Sequence, residues 1–346
     1  MNNKFPLASH CIFFIGLVLL ISTISTSCKK YLPEDRESIG VDTRFTQTVY
    51  SPVLGRSTLF SNNFFLGTSS QPLTFKIINM RTRDGSPAPE LTRTTPVQVW
   101  TKPYLGDEKS IAEIEAKRKI ENRPLFEIRE HSGQFLMWSA ANSKNIKTQP
   151  DSGYVFDVEM SNSGGRRYFR DFRLMPLKER AYEPSEINPI TGLSQYVGIL
   201  PSSMMNIRGD RTGDYMFFLD VRALFKKNEG EGNSLTFKFV DSLFKPVDPA
   251  KFNLTKWDKL VHGFNMVKTT EYVKYDVAYP IPLIAYRTDY TNVFGDQASV
   301  KFRYERQGFG NIREEAFLNL DFAIYEPGNW EITVWFTGER PKFSND

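Results

Sequence analysis

Few residues in this 346-residue chain have the type and spacing for bond-making chemistry. It holds three histidines, and His131 and His262, the two outside the apolar leader, lie about 130 positions apart. Phosphate loops, HExxH, CxxC and GxSxG are all missing from the sequence, so metal, nucleotide and serine-triad chemistry lose their usual residues. A hydrogen-bonded structural role accounts for each histidine more simply. Glycoside hydrolysis needs only two facing carboxylates, and 40 acidic residues are available, but no recognisable constellation places two of them together. The expectation is a non-enzymatic protein without metal or cofactor. The alternative is a carboxylate-based glycoside hydrolase.

Binding candidates come from aromatic and basic side chains. In WEITVWF (330 to 336), alternation sends Trp330, Ile332, Val334 and Phe336 inward. Trp335 then falls on the polar face, where it can stack on a sugar or seat a partner unless another segment covers it. Trp100 shares a face with Gln98 and has the same ambiguity. Positions 161 to 180 carry six basic residues, among them Arg167 and Arg173, interleaved with Tyr168, Phe169 and Phe172. Such a stripe could meet phosphate, uronate or sulfate, or be a solvated strand face. The tripeptide Arg208-Gly209-Asp210 is too short to carry meaning, and with Asp214 it reads as a Gly-rich turn.

The elements that must position these residues are mainly strands. The 28 Phe, 15 Tyr, 20 Pro and 22 Gly favour strands and turns. LTFKI (73 to 77) and YVFDVEM (154 to 160) alternate with period two, the latter placing Asp157 and Glu159 on the polar face. Asn162-Ser163-Gly164-Gly165 closes a hairpin into RRYFRDFRL. Segments 215 to 221, 235 to 239, 300 to 304, 318 to 324 and 330 to 336 continue the pattern. One helix is expected over Asp107 to Asn122, with Glu113/Lys117 and Glu115/Lys119 pairs at i,i+4. The Pro-rich segment 179 to 192 marks a boundary. The predicted fold is mainly β: two antiparallel β-sandwich domains, Ig-like over 46–185 with one short helix and jelly-roll-like over 186–346.

The leader speaks to compartment. A 13-residue apolar run, Ile12 to Ile24, precedes Ser25, Thr26, Ser27 and Cys28. It is shorter than the ~20 residues a spanning helix needs, which predicts a lipoprotein signal peptide over 1–27, acylation of Cys28, and a tether over 28–45. The mature chain then keeps no second cysteine for a disulfide, leaving stability to its core. Net charge is +4, from 44 basic and 40 acidic residues, too balanced to imply a nucleic-acid partner. The expected location is the outer membrane, lipid-anchored, with the cell surface favoured over the periplasmic face.

With KKYLPEDRESIG, SQPLTFKIINMRTRDGSPAPEL, DSGYVFDVEMSNSGGRRYFR and WEITVWF in view, the chain resembles an uncharacterised family of Bacteroidetes outer-membrane lipoproteins across essentially its whole mature length. That family carries no catalytic or binding residues to transfer. The resemblance implies a setting near SusC/SusD-type uptake proteins and fasciclin-like adhesion lipoproteins, and hence a glycan or an envelope protein as partner in uptake or adhesion.

Overall fold

The computed structural model describes residues 37–346, so the expected signal peptide, Cys28 and the first part of the tether lie outside the described residues. The described chain is mainly β, built as two halves with separate cores.

In the first half, β2 (Val49–Tyr50), β11 (Gly165–Leu174), β10 (Tyr154–Asn162) and β5 (Thr74–Thr82) form one sheet in that order. A three-stranded sheet of β3 (Thr58–Phe60), β9 (Phe135–Met137) and β8 (Phe126–Ile128) accompanies it, with the short pair β1 (Arg44–Phe45) and β4 (Phe64–Phe65). Between them lie Phe135, Phe156 and Phe172, all essentially fully buried, with Phe126 stacked on Phe135 at 5.5 Å. The expected hairpin is present, with Asn162 opposite Gly165.

Two departures from the sequence expectations occur here. The strands on either side of β10 bulge, β11 using three residues from Phe172 to Phe169 and β5 three from Arg81 to Ile78 against two of β10. The period of β10 is intact, with Phe156 and Val158 both buried, and Asp157 stays on the opposite face, yet is only 6% exposed because Asn79, Arg81 and the β11 backbone cover it. Its carboxylate accepts from Asn79 Nδ2 and the Asp171 N–H, both at 2.9 Å, and faces Arg81 at 3.4 Å. Burial pushes this carboxyl's pKa up, but those donors and the guanidinium win and hold it below the ordinary value.

The second departure corrects the helix expected over Asp107 to Asn122. Helix α1 is a single turn at Pro89–Thr92, and α2 spans only Ile111–Glu115. The Ser110 side chain caps α2 by accepting the Glu113 N–H at 3.2 Å. From Arg118 the chain becomes β7 (Arg118–Pro124), paired along its length with β6 (Thr94–Trp100). Only Ile114 in α2 is buried, so one turn is all that packing supports, while β7 satisfies the backbone of β6. Neither expected i,i+4 ion pair forms: Lys117 pairs with Glu108, Lys119 with Glu121, and Glu115 with Arg118.

In the second half, β14 (Val221–Asn228), β20 (Asn329–Phe336), β15 (Ser234–Val240), β17 (Tyr272–Val277) and β16 (Gly263–Lys268) form a five-stranded sheet. It faces a sheet of β12 (Tyr182–Glu183), β19 (Ile312–Ile324) and β13 (Ser203–Met205), with β18 (Ala298–Gly308) also on β19. Phe237, Phe239, Phe302, Phe322 and Phe336 fill the space between them. All strand pairings are antiparallel except β2 with β11 and β15 with β20. The segment expected as a linker already contributes β12, where Tyr182 sits opposite Ile324.

The halves meet along a seam. Arg56 reaches Glu183 at 2.5 Å and lies over the Tyr325 ring at 4.1 Å. The Arg118 side chain, 3% exposed, donates to the Tyr279 carbonyl at 2.7 Å. A small core cluster of Tyr104, Ile114, Ala278 and Leu283 crosses between them.

Candidate functional site

Strand register identifies what gathers at each end of the second half. Val221 opposes Phe336, and Val240 lies beside Trp335. The start of β14 and the ends of β15 and β20 therefore share one end of the sheet. The β18–β19 hairpin tip joins them, because residues after β20 pair back along it: the Asp346 N–H donates to the Gln307 carbonyl at 2.9 Å. Ile324, Tyr325 and Tyr279 lie at the other end, against the first half.

The end away from the seam carries apolar side chains in solvent. Phe217, Phe218 and Leu219 precede β14, Leu243 and Phe244 form the turn after β15, and Phe309 tips the β18–β19 hairpin. Leu243 is 72% exposed and Phe309 91%. Isolated exposed apolar residues are ordinary, but several from three separate loops at one end make a patch of the kind that marks an interaction surface.

Trp335 belongs to this end. Its four alternating neighbours Trp330, Ile332, Val334 and Phe336 are all buried, as the sequence pattern requires, so Trp335 is on the other face. It is half-buried, with Phe244 stacked on it at 4.8 Å and 29°, and among the described residues its indole Nε1 has no hydrogen-bond partner. Phe244 sits at φ 58, a left-handed conformation costly for a bulky side chain. The turn is held by the Asp241 carboxylate, which accepts the Leu243 and Lys245 N–H groups at 2.9 Å.

The other sequence candidates do not converge on this end. Trp100 is half-buried in the seam, 5.7 Å from Tyr104, with the Arg118 guanidinium over its ring at 5.2 Å. Arg167 donates to the carbonyls of Gly40 and Val41 at 2.9 and 3.3 Å, which ties the start of the described chain to β11. Arg173 contacts Met175 Sδ at 3.8 Å. Arg208 stacks on Tyr215 at 3.8 Å and donates to its hydroxyl at 2.6 Å, an internal role.

The seam also carries a small, partly open pocket with a cavity volume of about 30 Å³. Tyr104, His262, Tyr286 and Tyr290 supply aromatic walls, and Pro280 and Pro282 supply part of the rest. His262 Nε2 is 2.9 Å from the Glu108 carbonyl. A carbonyl can only accept, so Nε2 carries a proton and donates to it, while Nδ1 is hydrogen-bonded with the Tyr104 hydroxyl. Burial pushes the Tyr104 phenol pKa upward, keeping it a neutral donor. The His262 ring lies parallel to Tyr290, 4.9 Å apart at 1°. His131 is remote from all this, with Nδ1 3.3 Å from the Leu73 carbonyl. Sequence alone gives both histidines a structural role. The pocket is not legible there, because its walls come from non-periodic loops of both halves.

A family model for a domain of unknown function, DUF5007, matches residues 64–345. The chain belongs to the DUF5007 family. No curated protein matches it. No solved structure matches it either. The match runs through both halves and the seam, so the DUF5007 unit includes the pocket and the apolar end together.

Proposed function

We propose that this DUF5007 protein is a lipid-anchored outer-membrane protein that docks an envelope protein partner, as part of a nutrient-uptake or adhesion assembly of the SusC/SusD-associated kind. The observation that carries the reading is the apolar end built by Phe217, Leu219, Leu243, Phe244 and Phe309, all more than half exposed. Phe and Leu side chains offer no hydrogen bonds to a sugar, while their burial against protein is worth roughly 1.5 to 3 kcal/mol each. A protein surface therefore fits this end better than a glycan does.

The position of the tether supports the same reading. Glu37 accepts from the Ser163 N–H and hydroxyl at 3.1 and 3.0 Å, at the β10–β11 hairpin tip, whereas β11 leaves toward the second half from Leu174, at the opposite end of that sheet. Glu37, where the described chain begins, and the apolar end thus lie on opposite sides of the seam. The hydrolase alternative calls for paired carboxylates across a cleft, and no Asp or Glu lines the seam pocket.

A photo-reactive amino acid in place of Leu243, in the native envelope, tests the proposal. A discrete protein adduct that disappears when Phe217→Asp is added supports it. Absence of any adduct, together with glycan binding by the purified protein that Phe217→Asp weakens, would replace the protein partner with a glycan.

A further inference from the structure

We infer that the outer face of the five-stranded sheet in the second half binds an acidic polysaccharide laid across its strands, a site separate from the apolar end and additional to the protein docking proposed there. Strand register sets two rows on this face. One runs Lys226, Glu331, Thr236, Lys274 over β14, β20, β15 and β17, and the next, nearer the apolar end, runs Leu224, Thr333, Lys238, Tyr272.

The face is open to solvent. Side chains of both rows are half-buried or exposed, while those that alternate with them on the inner side, such as Ala223, Ile332, Val334, Phe237, Val273 and Tyr275, are all buried. A second layer packed on the outer face would have buried these rows in the same way.

Charge sets the ligand's chemistry. Three lysines meet one carboxylate over the two rows, and Glu331 is already paired with Lys238 at 2.8 Å. Among the described residues, Lys226 and Lys274 have no ion-pair partner. Both are exposed, three strand spacings apart, or about 14 Å. The neighbouring acids leave this band positive: Glu229, Glu231 and Asp276 lie toward the seam, Asp276 accepting from Asn265 Nδ2 at 2.9 Å. At the other end Asp241 is occupied by the turn N–H groups. The uncompensated charge therefore runs across the strands and not along them.

A single small anion meets only one ammonium here, because about 14 Å exceeds the screening length of roughly 8 Å at physiological salt. A chain with carboxylates or sulfates on successive sugars reaches both lysines at once, and the first contact raises the effective concentration for the second. The Thr236 hydroxyl and the Tyr272 ring lie on the same face, the one able to hydrogen-bond sugar hydroxyls and the other to stack on a sugar ring. The central strands β20 and β15 offer these rows only Glu331, Thr333, Thr236 and Lys238, with no apolar anchor of the kind that carries a protein interface.

The test measures binding of the full chain, in phosphatidylcholine nanodiscs, to polygalacturonate, its methyl ester, chondroitin sulfate and poly-L-glutamate. Polygalacturonate or chondroitin sulfate should bind about tenfold more tightly than the methyl ester and poly-L-glutamate, and should weaken as salt is raised. The double variant Lys226→Gln/Lys274→Gln should weaken the acidic polysaccharide about tenfold, and Tyr272→Ala should weaken it while keeping the salt dependence; thermal melting verifies that both are folded. No binding of either acidic polysaccharide at low salt, or equal binding by wild type and the double variant, would overturn the site. Methyl ester binding at the polygalacturonate level would overturn the need for charge. Poly-L-glutamate binding at that level would replace the polysaccharide with an acidic peptide.

Discussion

Phe244 lies stacked on Trp335 with ring centroids 4.8 Å apart, covering an aromatic that strand alternation pushes out of the second core. The cover is itself exposed, 55% of Phe244 facing solvent, so the pair presents an aromatic surface and does not close one off. Phe244 takes φ 58 to do so, where Gly or Asn would sit with less strain. The ring is retained at a conformational cost, which fits a role in contact with something outside the chain.

Phe244→Gly should therefore change stability little, within about 1 kcal/mol, because relief of the left-handed strain offsets the lost stacking. Trp335→Ala, which removes a half-buried indole between β14 and β15, should cost roughly 2 to 3 kcal/mol. Urea unfolding of both variants checks the contrast. A larger loss for Phe244→Gly than for Trp335→Ala would show that the turn is held chiefly by the ring.

Asp157 tests the bulged sides of β5 and β11 that flank β10. Its removal leaves Arg81 without its buried partner and orphans the donors of Asn79 and Asp171. Asp157→Ala should destabilise by about 2 to 4 kcal/mol. Glu159→Ala, two residues along the strand and half-buried, should cost under about 1 kcal/mol. Equal effects would mean that the buried carboxylate contributes no more than a surface one.

Alternation alone made the strands at 154 to 160 and 330 to 336 legible, because each buries one face and a slip would reverse every side chain. The same rule put Asp157 on the correct face but did not foresee its burial, since the bulges of β5 and β11 beside it leave no mark in residue type. The 107 to 122 segment misled for a different reason. Glu, Ala and Lys carry helix propensity, yet propensity is a few tenths of a kcal/mol per residue and yields to tertiary pairing, here that of β7 on β6. At the candidate sites, Trp335 could be found by parity. Tyr104, His262 and Tyr290 could not, because they converge from loops far apart in the chain, and no local period links them.

Glu108 supplies the pH dependence of the seam. Burial pushes its pKa up, but the Lys117 ammonium and the Leu105 N–H outweigh burial and hold it at about 2, against 4.5 for the free side chain. A carboxyl with a lower pKa folded than unfolded stabilises the fold fully above about 4.5 and loses that contribution as pH falls toward 2. The stake is on the order of 2 to 3 kcal/mol. Thermal melting from pH 6 down to pH 3 should fall less steeply in Glu108→Gln than in wild type, with the variant already less stable at pH 6. Parallel curves would remove Glu108 from the acid response.

Cys28→Ala should move the protein from the membrane fraction into soluble fractions, since two or more acyl chains are what hold a domain stably at a bilayer. Membrane association that survives the substitution, but is lost on adding Leu243→Asp, would assign the attachment to the apolar end instead of the lipid.

Residues 191 to 197 form an exposed stretch between β12 and β13, the natural place for a protease to cut. The cut falls after β12 has already paired with β19 through Tyr182 and Glu183, so the first half keeps a strand inside the second half's sheet. The buried Arg118 contact with the Tyr279 carbonyl and the Tyr104–His262 hydrogen bond tie the pieces further. Limited proteolysis should thus yield two fragments that co-elute in gel filtration and separate only in denaturant. Arg118→Ala should loosen them, because an Arg side chain 3% exposed contributes packing as well as charge. Fragments that part spontaneously after the cut would show the seam to be too weak to keep the pocket formed.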